Sequence, residues 1–123
     1  MIGKAYISTF QFYNRSTSRM SFKSRPVLII GQADTSDYIV LPISRITNRH
    51  NLDSYYDVEI NPSNVPLMGL TSTSYIRTHK QSIVHSGELT RQITDFKNEY
   101  FEIYLDVMSK VEEFQKNLIT NSL

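Results

Sequence analysis

Helical periodicity is confined to the end of this 123-residue chain. Between residues 96 and 118, apolar side chains recur every three or four positions, the spacing of one face of an α-helix. The stripe consists of Phe96, Tyr100, Ile103, Val107, Val111, Phe114 and Leu118. We predict a helix of about 20 residues, N-capped by Thr94 or Asp95, that docks on a sheet of the same chain. A coiled-coil partner helix is the alternative, which the presence of only about three heptads disfavours.

The residues before this helix have the patterns of β-strands. Short apolar runs, alternating in the first and fourth cases and otherwise bounded by turn-forming residues, predict five or more strands. These cover residues 5–12, 26–30, 38–43, 56–60 and 74–84, the last being interrupted or continuing as far as residue 90. The alternation of the fourth run places Tyr56, Val58 and Ile60 on the inner face. Pro42 lacks an N–H group, so its strand must be an edge or bulged there. Residues 13–24 show no periodicity and are predicted to form a long, mobile, positively charged loop.

The order of these elements limits the fold class. No strand–helix–strand alternation is present, which favours an antiparallel sheet or a small barrel over a parallel sheet. A chain of this length can bury one hydrophobic core without disulfides or metals. We therefore predict a single domain over residues 1–123, mainly β with a long C-terminal α-helix.

Composition excludes several classes of protein. The sequence has no cysteine, which rules out a disulfide framework, thiolate catalysis and cysteine-ligated zinc. No run of about 18 apolar residues is present, so no membrane-spanning helix is expected. The first residues also lack the apolar segment of a signal peptide. Together these features predict a cytoplasmic protein that does not bind membranes.

The net charge of +1 conceals an uneven distribution of charge. Residues 1–52 carry seven basic and two acidic side chains, whereas residues 53–123 carry six basic and ten acidic ones. A basic half on a nearly neutral protein indicates an anionic partner, of which nucleic acid is the commonest kind. Scattered, solvated surface charge is the alternative interpretation.

Arg25 is the first candidate for binding a phosphate group. It lies where the basic segment Lys23-Ser24 meets an apolar strand, and Pro26 restricts Arg25 to an extended conformation. A guanidinium presented from such a defined place can bind a phosphate through two hydrogen bonds. An ion pair with a carboxylate at the mouth of the strand is the structural alternative.

Arg77 and His79 form the second candidate group. In an extended strand, the residues that share their face are Tyr75 and Gln81. An imidazole can take up and return a proton near neutral pH, and a guanidinium can stabilise the charge of a pentacoordinate phosphate. A polar, solvent-exposed strand face is the alternative interpretation.

Ser44 and Arg45 close the third predicted strand and add a hydroxyl group and a further cation. Metal-dependent chemistry is not indicated, because His50, His79 and His85 do not have the spacing of a zinc motif. Glycine-rich phosphate-binding loops and the GxSxG nucleophile motif are also absent. We therefore expect no metal and no cofactor.

At these residues the chain resembles the MazF/PemK family of toxins from bacterial toxin–antitoxin systems. The similar segments are Gly3-Lys4-Ala5-Tyr6, like the family's first strand; Arg25-Pro26-Val27-Leu28-Ile29-Ile30, like its RPVLVI strand; Leu41-Pro42-Ile43-Ser44, like its PIT or PIS turn; and Gly69-Leu70 with Ser74-Tyr75-Ile76-Arg77, like its L…SYVR segment. A terminal helix follows in both. Each segment is short, but their order and spacing cover most of the chain.

This resemblance implies an SH3-like small barrel of the CcdB/MazF type, a homodimer, and an antitoxin partner that covers the RNA groove. It also implies metal-independent endoribonuclease activity on single-stranded mRNA, in which the 2′-OH attacks the adjacent phosphorus to leave a 2′,3′-cyclic phosphate. By position, Arg25, Ser44 and Arg77 correspond to site residues of the family. Some relatives have an aspartate as the base two residues after the second arginine, where this chain has His79.

Two functional hypotheses follow, besides that of a purely structural protein, which does not explain two arginines and a histidine at strand ends. In the first, the chain is an endoribonuclease toxin with catalytic residues Arg25, Ser44, Arg77 and His79, and RNA is held by Phe22, Lys23, Ser24, Arg45, Lys80 and Gln81. In the second, the same fold is a non-catalytic toxin or binding module, such as a CcdB-like gyrase binder or an inactive RNA binder.

Overall fold

The computed structural model describes residues 1–123 as seven β-strands followed by two helices. These are β1 (Ala5–Asn14), β2 (Arg19–Gln32), β3 (Asp37–Ser44), β4 (Asp57–Ile60), β5 (Ser74–Arg77), β6 (Ser82–His85), β7 (Leu89–Thr94), α1 (Phe96–Glu99) and α2 (Phe101–Ser122). All strand pairs are antiparallel, in the order β4-β5-β3-β2-β1-β7, and β6 pairs with the other end of β3. The sheet curls into a half-barrel, which confirms the predicted mainly β class with a C-terminal helix.

The segment predicted as a mobile loop is instead the outer part of a long hairpin. β1 and β2 pair continuously as far as Asn14 opposite Arg19, and the four residues between them form the turn. The Asn14 side chain accepts hydrogen bonds from the backbone N–H groups of Ser16 and Thr17. The loop prediction was wrong because backbone pairing holds these strands together while their side chains are largely exposed, so alternating burial does not mark them in the sequence.

β3 lies at the predicted position and has different partners along its length. β6 pairs with its first half, as far as Val40, and β5 pairs with its end, from Ile43. Pro42 lies between these two partners and pairs only with Val27 of β2. β3 is therefore a local edge at the proline. Because no strand pairs with it on that side, the missing N–H group costs no hydrogen bond between strands.

The predicted fifth strand divides into β5, β6 and β7. β5 ends at Arg77, and in the turn that follows the Thr78 hydroxyl donates to the carbonyl oxygen of Tyr56 at 2.6 Å. β6 then pairs with β3, and β7 pairs with β1 after a 3₁₀ turn at Ser86–Glu88. The expectation that Arg77 and His79 share one strand face was therefore wrong, because the strand stops between them.

The C-terminal helix is confirmed, with a break at Tyr100 that was not predicted. The φ and ψ angles of Tyr100 are −132° and 54°, which separates the single turn α1 from α2. The buried residues of the two helices are Phe96, Tyr104, Val107 and Val111. Leu118, the last residue of the predicted stripe, is 54% exposed, so the docked face ends before it. No helix of the chain combines the length and the apolar character that crossing a bilayer requires.

Two apolar clusters lie on opposite faces of the sheet, as the alternation of neighbouring strand residues requires. The larger cluster joins the sheet to both helices and includes Leu28 and Phe96, neither of which has exposed surface. The smaller cluster consists of Val27, Ile29 and Val40. This core fixes the relative positions of β3, β4 and β5, at whose ends the polar residues described next are located.

Candidate functional site

A buried ion pair between two neighbouring strands forms the floor of the site. Asp57 at the start of β4 lies directly opposite Arg77 at the end of β5. The Asp57 carboxylate has no exposed surface and accepts hydrogen bonds from Arg77 Nε at 3.0 Å, from Arg77 Nη2 at 3.3 Å and from the Asp53 N–H at 2.8 Å. Arg77 Nη2 also donates to the carbonyl oxygen of Asn51 at 2.7 Å. The guanidinium is thereby held in one orientation, and only Nη1 lacks a protein partner.

His79 lies beside this pair, and its two ring nitrogens have different surroundings. Nδ1 is 3.9 Å from Asp57 Oδ1, is buried, and has no hydrogen-bond partner. The ring contacts those of Tyr56 and Phe114 at centroid distances of 5.8 and 6.3 Å. Because Nδ1 is the buried nitrogen, Nε2 is the one available to a ligand in the adjoining cleft.

Burial keeps the His79 imidazole neutral near physiological pH. Removal from water lowers the pKa of His79 below its ordinary value of 6.5, because the charged form loses more hydration than the neutral one. The carboxylates of Asp57 and Asp53 raise this pKa, and the cations of Arg77 and Lys80 lower it further. A neutral imidazole with an accessible Nε2 can act as a general base.

A cleft of about 580 Å³ lies over Arg77 and His79. Its lining comes from β2, the end of β3, the loop that follows β3, and the turn after β5. Arg25, Arg45 and Lys80 contribute positive charge without a salt bridge to any acid, and Asp53 is the one acidic lining residue. The cleft therefore suits an anionic ligand.

This cleft brings together six of the residues identified from the sequence. They are Arg25, Ser44, Arg45, Arg77, His79 and Lys80. Arg25 is exposed, and its guanidinium carbon lies 5.9 Å from the centroid of the Phe10 ring, so the alternative of an ion pair at the strand mouth does not apply. Ser44 is half-buried at the end of β3, and Arg45 Nη1 is 3.4 Å from the Ser72 hydroxyl.

The other predicted RNA-binding residues lie outside this cleft. Lys23 and Ser24 line a second cleft, and Phe22 projects from the hairpin with 73% of its surface exposed. Phe22 lines neither of the two clefts, so it does not share a groove with Lys23. The Gln81 side chain accepts a hydrogen bond at 2.9 Å from Gln115 of α2.

The second cleft, of about 650 Å³, adjoins the first through the shared residues Arg25, Ser44 and Arg45. Lys23 and Arg91 add two cations to it, and none of its lining residues is acidic. Apolar side chains make up much of the remaining lining. Such a surface can bind both a phosphate group and a nucleobase.

Asp57, Asp53 and Arg91 were missed as site residues by sequence reasoning. The alternation around Val58 assigned Asp57 to the outer face of its strand, but pairing with the strand opposite buries it. The available signal was an acidic and a basic residue at strand ends that adjoin polar loops. Asp53 shapes the loop, because its carboxylate accepts the N–H groups of Tyr56 and Tyr55, which hold the pKa of Asp53 below its ordinary value.

The residues of the site themselves indicate its chemistry. No protein-family model matches the chain, and a search of curated proteins found no match. No group of three or more His, Asp or Glu side chains is placed to hold a metal ion. The groups at hand are a neutral base, a hydroxyl group and several cations around one cleft, a set suited to acid–base chemistry on a phosphate ester.

Proposed function

We propose that this chain is the toxin component of a toxin–antitoxin system, a MazF/PemK-like endoribonuclease that cuts single-stranded RNA without a metal ion. The observation that carries the proposal is the neutral His79 imidazole, whose free Nε2 adjoins a cleft lined by Arg25, Arg45 and Lys80. RNA carries its own nucleophile, the 2′-OH, so its cleavage needs a base and cations that stabilise the phosphate charge. A half-barrel sheet with a C-terminal helix is compatible with an SH3-like barrel of the CcdB/MazF type.

In the proposed reaction, His79 Nε2 takes the proton of the 2′-OH while the 2′-oxygen bonds to the adjacent phosphorus. Arg25 and Arg45 stabilise the pentacoordinate phosphate, and the Ser44 hydroxyl donates a hydrogen bond to one of its oxygens. The bond from phosphorus to the 5′-oxygen then breaks, and that oxygen takes a proton from water. The products are a 2′,3′-cyclic phosphate and a 5′-hydroxyl end.

Arg77 has a smaller role in the proposed reaction than the sequence suggested. Three of its hydrogen bonds go to Asp57 and Asn51, so Nη1 alone is left to contact the phosphate. The main phosphate contacts are therefore assigned to Arg25 and Arg45, which have no carboxylate partner.

The RNA strand would extend from the first cleft into the second. Lys23 and Arg91 can bind phosphates there, while apolar lining residues contact a base. Phe22, which lines neither cleft, offers a separate exposed ring on which a nucleobase can stack. The partners in the proposal, which come from the resemblance, are a second copy of the chain and a cytoplasmic antitoxin that covers these clefts.

Cleavage of RNA in the presence of EDTA is the direct test. We expect the wild type to cut single-stranded RNA of varied sequence, with a 2′,3′-cyclic phosphate on one product. His79→Ala should lose about 10²-fold or more of the rate, the usual contribution of a general base. His85→Asn is the matched control, because His85 lies outside both clefts and asparagine retains a side chain that can cap the following turn. Intact RNA across a broad set of sequences would exclude the proposal.

Salt dependence tests the role assigned to Arg25. Replacing a phosphate-binding cation should weaken RNA binding and reduce the slope of log affinity against log salt by about 1. Arg25→Ala should show this change. Arg15→Ala, in the hairpin turn away from both clefts, should show much less of it. Equal slopes for the wild type and Arg25→Ala would remove Arg25 from the RNA contact.

A second candidate function is that of a non-catalytic toxin or binding module of the same fold. The observation that favours it is the ion pair of Arg77 with Asp57, which occupies a guanidinium that the nuclease would use. Expression in bacteria separates the two. Continued toxicity of His79→Ala, together with loss of toxicity when an exposed residue of α2 such as Leu105 is changed to lysine, would favour the binding module. The opposite pattern would favour the nuclease.

A further inference from the structure

A buried carboxylate stands behind the base of the proposed reaction. Asp57 lines neither cleft, and its side chain has no exposed surface. It faces His79 Nδ1 at 3.9 Å, and this nitrogen is the one buried side-chain polar atom in the chain without a hydrogen-bond partner. Buried polar atoms normally have partners, so an unpaired nitrogen opposite a buried carboxylate requires an explanation.

We propose that Asp57 is a positioning residue for His79. It holds the proton of the neutral imidazole on Nδ1, which leaves the Nε2 lone pair directed into the cleft. It then stabilises the imidazolium ion that forms when Nε2 takes a proton. Only this last part rests on the proposed function, because the position of the imidazole proton is a property of the free protein.

The position of Asp57 is fixed well enough for this role. Its Oδ1 accepts Arg77 Nε, and its Oδ2 accepts Arg77 Nη2 and the Asp53 N–H. A carboxylate oxygen can accept two hydrogen bonds, so Oδ1 retains capacity for the His79 Nδ1–H. Shortening the 3.9 Å separation to a charge-assisted hydrogen bond of about 2.8 Å requires a movement of about 1 Å.

The other tautomer of His79 is disfavoured by the same geometry. With the proton on Nε2, the Nδ1 lone pair would face the negatively charged Oδ1 of Asp57 inside the protein. Two acceptors would then oppose each other away from water, where electrostatic repulsion is strong. With the proton on Nδ1, a donor faces the carboxylate instead.

The charges around His79 determine the direction of the expected changes. Asp57 of β4 and Asp53 of the preceding loop favour the imidazolium form, whereas Arg77 of β5 and Lys80 of the following turn disfavour it. The contact from α2 is the uncharged ring of Phe114. Removing the Asp57 charge should therefore lower the pKa of His79 below its already low wild-type position.

Each proton moved in the proposed reaction has both a donor and an acceptor. The 2′-OH gives its proton to His79 Nε2, the new bond forms between the 2′-oxygen and phosphorus, and the bond to the 5′-oxygen breaks. The 5′-oxygen takes a proton from water, leaving hydroxide. While His79 carries both protons, Nδ1–H donates to the Asp57 carboxylate, and the Nε2 proton finally goes to the hydroxide.

The first test uses the wild-type protein without RNA. Long-range ¹H–¹⁵N correlation spectra recorded above the His79 pKa identify the nitrogen that carries the proton. We expect Nδ1 for His79. His85 is the internal reference for the other tautomer, because its Nδ1 accepts the Gly87 N–H at 2.9 Å. A proton on Nε2 of His79 would overturn the inference.

The second test compares Asp57→Asn with Glu59→Gln, which removes a carboxylate from the exposed residue two positions along the same strand. In Asp57→Asn we expect a lower His79 pKa by NMR titration, a larger fraction of the Nε2–H tautomer, and an acid limb of the kcat/KM profile displaced to lower pH. We also expect kcat to fall about 10²-fold, as for a misdirected base. Glu59→Gln should leave all four unchanged.

A purely structural role for Asp57 would reduce activity equally at every pH, without displacing the acid limb or changing the tautomer. That result would reject positioning even with RNA cleavage intact. If instead the wild type carries the Nδ1 proton but cuts no RNA, the proposed function fails while the arrangement of Asp57 and His79 stands. If Asp57→Asn does not fold, the tautomer of His79 in the wild type still decides whether Asp57 is a positioning residue.

Discussion

Replacing Arg77 by methionine should destabilise the protein by an amount that depends on pH. Methionine can fill part of the space of the arginine stem but carries neither charge nor donors. The substitution leaves the Asp57 carboxylate buried without its counter-ion, with one remaining hydrogen bond from the Asp53 N–H. The cost is therefore that of an uncompensated buried charge rather than that of a lost surface ion pair.

The expected magnitude follows from the geometry of the pair. Removing one partner of a buried ion pair costs about 3–5 kcal/mol. The Arg77 side chain is 19% exposed and Asp57 keeps a 2.8 Å bond from Asp53, both of which place the cost at the lower end. We expect a loss of about 3 kcal/mol in the free energy of unfolding at about pH 8. With a urea m value of about 1.5 kcal/mol/M, the unfolding midpoint falls by about 2 M.

His79 makes this cost smaller in acid, because its imidazolium form can replace Arg77 as the counter-ion of Asp57. In the wild type the pKa of folded His79 lies below 6.5, so its contribution favours folding at higher pH and is lost as the pH falls through that pKa. In Arg77→Met, we expect the uncompensated carboxylate to raise the pKa of folded His79 above the unfolded value, so that the charged imidazole stabilises the fold. That stabilisation is complete below the unfolded pKa and is lost as the pH rises through the folded one.

Urea unfolding of both proteins at about pH 5.5 and about pH 8 measures the effect. The difference in destabilisation between the two conditions approaches about 1.4 kcal/mol for each unit that separates the two folded-state pKa values. Arg45→Met is the matched control, because this exposed arginine of the same cleft has no ion pair, and its loss should cost under about 0.5 kcal/mol. An equal loss for Arg77→Met at both pH values would refute the reasoning.

Two further substitutions test the surroundings of the first strand and of His79. Gly3→Ala should cost about 2 kcal/mol, because Gly3 has a φ of +88° and an added Cβ would lie 2.6 Å from Lys97 Cβ. Urea unfolding checks this against Gly31→Ala, whose Cβ would meet nothing closer than 3.6 Å. Phe114→Ala should raise the pKa of His79 towards 6.5, because water then reaches the ring whose burial lowers that pKa. An NMR titration that gives the wild-type pKa for this variant would contradict the assigned cause.

Sequence patterns predicted those elements whose burial follows a regular period. Val58 and Ile60 alternate on the inner face of β4, and Val107 and Val111 lie four positions apart on the docked face of α2. The outer hairpin was missed because its strands are held by backbone hydrogen bonds while their side chains remain largely exposed. Backbone pairing without burial has no period in the amino-acid sequence, so hydrophobic alternation cannot reveal it.

Most residues of the candidate site were identified from the sequence, but the contacts between them were not. Arg77 and His79 were placed together by assuming a continuous strand, but Thr78 turns the chain between them by bonding to the carbonyl oxygen of Tyr56. The two side chains meet because both approach Asp57. That meeting depends on the register of β4 against β5, a tertiary feature that no local pattern of residues determines.

The apolar stripe of the terminal helix has two parts, one that packs on the sheet and one that contacts the candidate site. Val111 and the buried residues before it pack on the sheet, whereas Phe114 contacts the rings of Tyr56 and His79. Lys110 donates to the carbonyl oxygen of Tyr55 at 2.8 Å, so the same turns of α2 also hold the loop that precedes Asp57. Because burial is the largest influence on the pKa of His79, the protonation state of this imidazole depends on how α2 is docked. A substitution that loosens this part of the helix should therefore change the acid limb of the pH profile before it affects the strands of the core.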